Sequence, residues 1–192
     1  HLEKGESVVV HAAAGGVGTI AVQLAKAWGA GRVIAVASSE DKRALATELG
    51  ADVTVDAGAA DLKAAIEEAN GGRKVDIVLE MVGGPTFDAS LAALAPFGRL
   101  ATFGMASRTP PKPVDAGGLM SRSRAVIGFW LAHAFSRPAM LQGPMAELLS
   151  MVADGSLRPI VGGTYPLSEA HRAHEDLRSR RSTGKLVLDV RA

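Results

Sequence analysis

Apolar runs of strand length alternate with stretches of helical period over the first hundred residues. Ser7–His11, Arg32–Ala37, Val53–Val55, Val75–Glu80 and Gly98–Phe103 are continuous Val-, Ile- and Leu-rich runs, the pattern required of strands covered on both faces. Between them the spacing predicts helices over Thr19–Trp28, Asp41–Leu49 and Ala60–Ala69. These are closed by Gly29, Gly50 and Asn70-Gly71-Gly72, residues that accept the positive φ favoured just past a helix C-terminus. Strand and helix in alternation imply right-handed crossovers and a parallel, doubly wound α/β sheet. Pro110-Pro111-Lys112-Pro113 interrupts the pattern as a loop, Ala125–Trp130 reads as a sixth strand, and Pro138–Ala153 reads as an amphipathic helix ending at Asp154-Gly155. Ile160–Tyr165, Ser168–Arg178 and Lys185–Val190 then form a strand, helix and strand tail that a six-stranded sheet does not need. The expected division is a first domain over 1–158 and a C-terminal segment over 159–192, with no internal repeat.

The first βα unit carries the main chemical signal. Val8-Val9-Val10-His11 runs into Ala12-Ala13-Ala14-Gly15-Gly16-Val17-Gly18-Thr19 and so into the first helix. A pyrophosphate lies against a helix N-terminus only where the preceding turn has little side-chain bulk and offers backbone N–H groups. Gly15, Gly16 and Gly18 meet that demand, flanked by the small Ala14 and by Val17 at the helix start. In G-x-G-x-x-G spacing the glycine positions fall on Ala13, Gly15 and Gly18, so alanine replaces the first. The other reading of these glycines is a tight corner without a ligand, but the strand at Arg32–Ala37 completes the βαβ context in which the pattern acquires meaning. An NAD-selective site would end that strand with an Asp or Glu for the ribose 2′-hydroxyl, about 20 residues past the glycines. Here the strand ends at Ala37, followed by Ser38, Ser39, Lys42 and Arg43, hydroxyls and cations suited to a 2′-phosphate. The cofactor read from these residues is NADPH. A plainer account makes Ser39 the cap of a solvated first helical turn, which leaves the missing acid unexplained. The same missing acid counts against a methyltransferase.

Composition narrows the partners. The 192 residues are 47% apolar with 22 glycines, as a globular α/β domain requires. Net charge is +1, from 21 basic and 20 acidic residues, so no overall field draws nucleic acid and a small-molecule partner is expected. There is no cysteine, which excludes a disulfide or thiolate metal site within these residues and fits a cytoplasmic setting. No apolar run approaches the ~20 residues of a membrane span. The chain opens on His1 without a signal-peptide pattern and reaches its glycine turn at once; this reads as a fragment or a processed chain.

The run Ala12 to Gly18, followed by Val22-Gln23-Leu24-Ala25-Lys26, resembles the zinc-independent medium-chain dehydrogenase/reductases, the NADPH:quinone oxidoreductase and zeta-crystallin group. Further matches are Ala37-Ser38-Ser39-Glu40-Asp41-Lys42, Leu49-Gly50-Ala51-Asp52, Met81-Val82-Gly83-Gly84, Gly98-Arg99-Leu100 with Phe103-Gly104, Tyr165-Pro166-Leu167 with Ala170-His171, and Thr183-Gly184-Lys185-Leu186-Val187-Leu188. Alanine at position 13 is a habit of that branch. The resemblance implies a six-stranded Rossmann fold, with Gly15 to Gly18 on the pyrophosphate and Ser38 with Lys42 on the 2′-phosphate. It implies further that Val82, Gly83, Gly104, Met105 and Ala106 border the ribose and nicotinamide. Backbone near Phe129 and Leu131 would bind the carboxamide, and Lys185 would lie near the cofactor. One departure is Asp56-Ala57-Gly58, where many relatives carry an aromatic that grips the 2′-phosphate; looser NADPH binding is implied. The resemblance also implies a GroES-like barrel outside this chain, onto which Tyr165–Ala192 would pack. The edge strand at 125–130 would pair with its twin in a homodimer.

Hydride transfer asks the protein to orient cofactor and substrate and to exclude water. No general acid stands out. His11 reads as a satisfied core histidine on a buried strand, and His171 and His174 as one helix face. Tyr165 is followed four places on by Glu169, so the Tyr-x-x-x-Lys pair of short-chain dehydrogenases is absent, as is a G-x-S-x-G elbow. Phe129, Trp130 and Phe135 either face a quinone or pack in a core or dimer interface. No metal ligand set is expected in these residues, since the zinc ligands of zinc-dependent relatives would lie upstream. The expected function is NADPH-dependent hydride transfer to a quinone or an α,β-unsaturated carbonyl, with this chain as the cofactor-binding part and the catalytic group unassigned. The alternatives are an enoyl reductase module of a polyketide or fatty-acid synthase and a non-catalytic, crystallin-like NADPH-binding protein.

Overall fold

The apolar runs become strands at nearly the predicted places. In the computed structural model, which describes residues 1–191, β1 (Ser7–His11), β2 (Arg32–Ala37), β3 (Val53–Asp56), β4 (Val75–Glu80), β5 (Leu94–Thr102) and β6 (Ala125–Gly128) pair in parallel. Their order is β3-β2-β1-β4-β5-β6. The direction of winding reverses between β1 and β4, which opens a crevice beyond the C-terminal ends of those two strands.

The side-chain period of two divides the core. Val8, Val10, Val33 and Ala35 pack with Val22 and Ala25 of α1 (Gly18–Ala27) and Ala46 of α2 (Glu40–Glu48). Val9, Ile34, Val36 and Val78 pack on the opposite face with Ile66 of α3 (Leu62–Ala69) and Phe87 of α4 (Gly84–Ala93). Each of the fully buried Ile34, Ile66, Leu94 and Leu100 contributes roughly 1.5–3 kcal/mol of transfer free energy. The helix stops act as predicted: Gly29, Gly50, Gly71 and Gly72 all take positive φ. Ser39 caps α2, accepting from the Lys42 N–H at 3.4 Å, and Asp61 caps α3, accepting from the Ala64 N–H at 2.9 Å.

Several bounds differ. β5 starts at Leu94, before Gly98, because Leu94 pairs with Val75 ahead of a register shift near Pro96 and Phe97, the latter at φ 64°. α4 and the short α5 (Ala116–Met120) open on Gly83-Gly84-Pro85 and Gly117-Gly118, so glycine content hid them. β6 ends at Gly128, and Leu131–Ala134 winds into a 3-10 turn. α6 (Ala139–Ala153) follows, with no buried residue.

The tail forms its own two-stranded parallel sheet from β7 (Val161–Pro166) and β8 (Lys185–Asp189), joined by α7 (Ala170–Arg178). It touches the first sheet at the glycine turn, where the Gly184 N–H donates to the Ala14 carbonyl at 2.8 Å. The Gln23 amide holds the outgoing backbone at Arg158 from both sides, donating to its carbonyl at 2.9 Å and accepting from its N–H at 2.8 Å. No helix of the described residues is long and apolar enough to cross a membrane.

The two central glycines of the turn differ in what a methyl would meet. At Gly18 a Cβ would fall 2.7 Å from the Ala13 Cα and closer still to the Ala12 carbonyl oxygen, whereas at Gly16 it would meet only the flexible Lys185 side chain. Gly18→Ala is expected to lower stability by about 2–3 kcal/mol, as overpacking against backbone does, and Gly16→Ala by less than about 1 kcal/mol. Urea denaturation of the two variants checks the difference.

Candidate functional site

β1 ends at His11, and the chain turns at Ala12, whose φ of 49° lies in the left-handed region that glycine adopts most readily. The strained residue is therefore Ala12, while Ala13, the alanine of the G-x-G-x-x-G frame, is fully buried in the core. At Gly15 a Cβ would lie 3.1 Å from the Ala12 carbonyl. α1 begins without a side-chain cap, Val17 itself having helical angles of φ −89° and ψ −41°. The partial positive charge of the helix N-terminus thus stands over the crevice with no anionic group of its own.

Two cavities flank the turn. The first, about 320 Å³, runs between Val36, Ala37, Ser38 and Lys42 on one wall and Met81, Val82, Thr86 and Ala106 on the other, with Ala14, Gly15, Ala57, Leu62, Arg180 and Ser182 around it. It is an apolar slot with two cations at one end. Lys42 Nζ donates to the carbonyl of Arg180, which is itself left-handed at φ 56°. Arg43 is turned away, 3.2 Å from Asp56 and donating to the Ala37 carbonyl at 3.3 Å, so Lys42 alone of the two proposed cations lines the slot. Ser39 is occupied as the α2 cap. The second cavity, about 370 Å³, is lined by Gly15, Gly16, Val17, Gly18, Phe103, Leu177, Lys185 and Leu186. The Lys185 chain lies across Gly16.

The remaining candidates are spread around this core of the site. Gly83 caps α4 at φ 80°, pressed against Met105, and Gly104 lies against Met81. Phe129 and Leu131 are half exposed and line neither cavity. Phe129, Trp130 and Phe135 form no core: they are 49%, 73% and 68% exposed. Thr86, Leu62, Arg180 and Ser182 were missed by the sequence reading. The basic run Arg178-Ser179-Arg180-Arg181 is visible in the sequence, but only the returning tail places it at the slot.

Two buried polar side chains lie where the sheet changes direction. Val10 pairs with Leu79, so the next residues, His11 and Glu80, sit side by side and both face α4. His11 Nε2 is 2.7 Å from Ser90 Oγ, and burial pushes its pKa down to about 4. Glu80 Oε1 accepts from the N–H groups of Val82 at 2.6 Å and Gly83 at 3.0 Å, while Oε2 has no partner. Burial raises the Glu80 pKa, and its backbone hydrogen bonds oppose that rise. Tyr165 donates to Asp176 at 2.6 Å, which raises its pKa, and it lines neither cavity. Among the described residues no three His, Cys, Asp or Glu side chains converge as a metal site.

The chain is similar to known dehydrogenases and reductases. The family model for zinc-binding dehydrogenases matches residues 16–151. A quinone oxidoreductase of Pseudomonas aeruginosa is 38% identical over 97% of this chain and 57% of its own length. An acryloyl-coenzyme A reductase of Metallosphaera sedula is 34% identical over 98% of the chain and 52% of its own. The chain thus spans about half the length of the curated relatives it matches. Among solved structures, the Escherichia coli quinone oxidoreductase complexed with NADPH superposes with a TM-score of 0.87 at 34% identity, over 98% of this chain and 58% of that one.

The neutral, buried His11 makes acid stability testable. Its folded pKa of about 4 lies below the ordinary value of 6.5, so the unfolded chain takes up the proton first. Stability from this group is full above pH 6.5 and falls as pH drops towards 4, by up to about 3 kcal/mol. Glu80 acts in the opposite sense, its burial penalty easing as it protonates. The slope of unfolding free energy against pH between 6.5 and 4.5 is expected to be shallower in His11→Gln than in the parent chain, measured by urea denaturation.

Proposed function

The chain belongs to the zinc-binding dehydrogenase family, which its match over residues 16–151 shows, and from that premise we propose that it is the cofactor-binding part of an NADPH-dependent oxidoreductase. The substrate class is a quinone or an α,β-unsaturated carbonyl. One observation carries the cofactor assignment: Ala37 stands where an NAD-selecting acid would be, and Lys42 lines the same slot beside the glycine turn. The E. coli quinone oxidoreductase structure with NADPH supports it. The P. aeruginosa quinone oxidoreductase supports the quinone, and the acryloyl-coenzyme A reductase supports an enone or acyl thioester as the second reading.

The residues present fit the dinucleotide. Ala14, Gly15, Gly16, Val17 and Gly18 would hold the pyrophosphate on the α1 N-terminus, with Lys185 adding charge from across Gly16. Lys42, Ser38 and Ser39 would take the 2′-phosphate, Lys42 exchanging the Arg180 carbonyl for it. Val82, Gly83, Gly104, Met105 and Ala106 would border the ribose and nicotinamide, and backbone at Phe129 and Leu131 the carboxamide. Bound NADPH supplies the hydride; the protein binds, orients and excludes water from the transfer. The residues of this chain do not fit zinc: there is no cysteine and no cluster of ligands among the described residues, so no step is derived through a metal. Within the same proposal, 1–158 is the cofactor domain and 159–192 a segment that meets the rest of the protein, in a cytoplasmic setting. The exposed β6 edge with Ile127, Phe129 and Trp130 supports a homodimer.

Titration of the chain with NADPH and NADH tests the assignment. NADPH is expected to bind more tightly, and Lys42→Ala to weaken it by about 1–2 kcal/mol while leaving NADH nearly unchanged. No NADPH binding, or equal losses for both nucleotides, would refute it.

A further inference from the structure

His11, Ala12, Gly15 and Met81 are the four residues that line both cavities, and His11 has the only hydrogen-bonding side chain among the four. A dinucleotide running from Lys42 to Lys185 has to pass over it. The hydrogen bonds around the ring fix where its proton sits. Ser90 Oγ lies 2.7 Å from the Thr86 carbonyl, and a carbonyl brings no hydrogen, so the single Ser90 hydroxyl proton is committed there. The 2.7 Å contact between His11 Nε2 and Ser90 Oγ must then take its hydrogen from the histidine. His11 is therefore the Nε2–H tautomer, with a bare lone pair on Nδ1.

Nδ1 has no hydrogen bond among the described residues. The fully enclosed side-chain atoms without a partner are Glu67 Oε1, Asn70 Oδ1, Glu80 Oε2 and Arg124 Nε. Nδ1 is not among them, so this nitrogen of a side chain only 2% exposed opens onto the cavities. A lone pair there repels phosphate oxygens and calls for a donor. Ribose hydroxyls are the dinucleotide's donors nearest its pyrophosphate.

We propose that His11 is a cofactor-contacting residue whose Nδ1 accepts a hydrogen bond from a ribose hydroxyl of the bound dinucleotide. Ser90 acts through it as a positioning residue, holding the proton on the far nitrogen. Burial keeps the ring neutral through the physiological pH range, so the acceptor persists. The idea rests on the dinucleotide reading above and assigns to this histidine more than the satisfied core role that its strand position suggested.

Nitrogen NMR of the chain labelled with 15N-histidine reads both ring nitrogens in the unmutated protein. The free chain is expected to show His11 with Nε2 protonated and Nδ1 bare, and Nδ1 to shift upfield on binding while Nε2 holds. Two ligands locate the donor: a shift with 2′,5′-ADP places it on the adenosine ribose, and a shift with NADPH but not with 2′,5′-ADP places it on the nicotinamide ribose. Two variants separate the nitrogens, since the Asn oxygen stands in for Nδ1 and the Gln nitrogen for Nε2. His11→Asn is expected to bind NADPH within about threefold of the parent and His11→Gln about five- to twentyfold more weakly. An Nδ1 resonance unmoved by saturating NADPH, or found protonated, overturns the proposal while leaving NADPH binding intact. Failure of the parent chain to bind NADPH at all overturns the dinucleotide reading instead.

Discussion

The seating of α1 on the end of β1 governs the rest of the C-terminal edge. It is possible only because Gly18 has no Cβ to collide with the backbone of Ala12 and Ala13. The Ala13 N–H donates to the Val36 carbonyl at 3.1 Å and the Gly15 N–H to the Ala12 carbonyl at 2.8 Å, so the strained turn is over-determined from both sides. A left-handed non-glycine residue such as Ala12 costs on the order of 1 kcal/mol and persists only under such constraint. With the turn locked, the uncapped α1 N-terminus and the floor of the crevice have one relative position.

Charge is then arranged around that position with little to neutralise it. Several cations elsewhere are matched: Lys26 with Asp52 at 2.8 Å, Arg43 with Asp56, Arg99 with Glu6 at 2.6 Å. Lys42 has only the neutral Arg180 carbonyl, and Lys185 stands across Gly16; neither has a carboxylate partner among the described residues. Two ammonium groups without carboxylate partners, one at the end of the slot and one beside the α1 N-terminus, describe a ligand negatively charged at one end and at its middle.

Most of this frame was legible in the sequence, because buried parallel strands write continuous apolar runs and glycine stops write helix ends. Strands β1, β2 and β4 coincide with the runs Ser7–His11, Arg32–Ala37 and Val75–Glu80. α4 was obscured because Gly83 and Gly84, both at positive φ, are the approach to a helix and resemble a turn when read locally. The glycine turn, Ser38 and Lys42 were legible because their chemistry is local to one βαβ unit. Arg180, Ser182, Leu62 and Thr86 were not, because only the tertiary path brings α3, α4 and the tail to the same slot. His11 was legible as buried but not as half satisfied, since that depends on a serine seventy-nine residues away.

Glu80 sets apart the two helix N-termini at the crevice. α4 begins beside the cavity just as α1 does, yet the amides of Val82 and Gly83 that lead into it are already taken by Glu80 Oε1. A carboxylate at that place supplies the negative charge the α4 dipole favours and repels a second anion. α1 has no such group: its first turn contains no acid and its cap makes no side-chain hydrogen bond. The electrostatics therefore favour an anion at the glycine turn over the α4 side, a bias that the buried carboxylate, costly in itself, maintains.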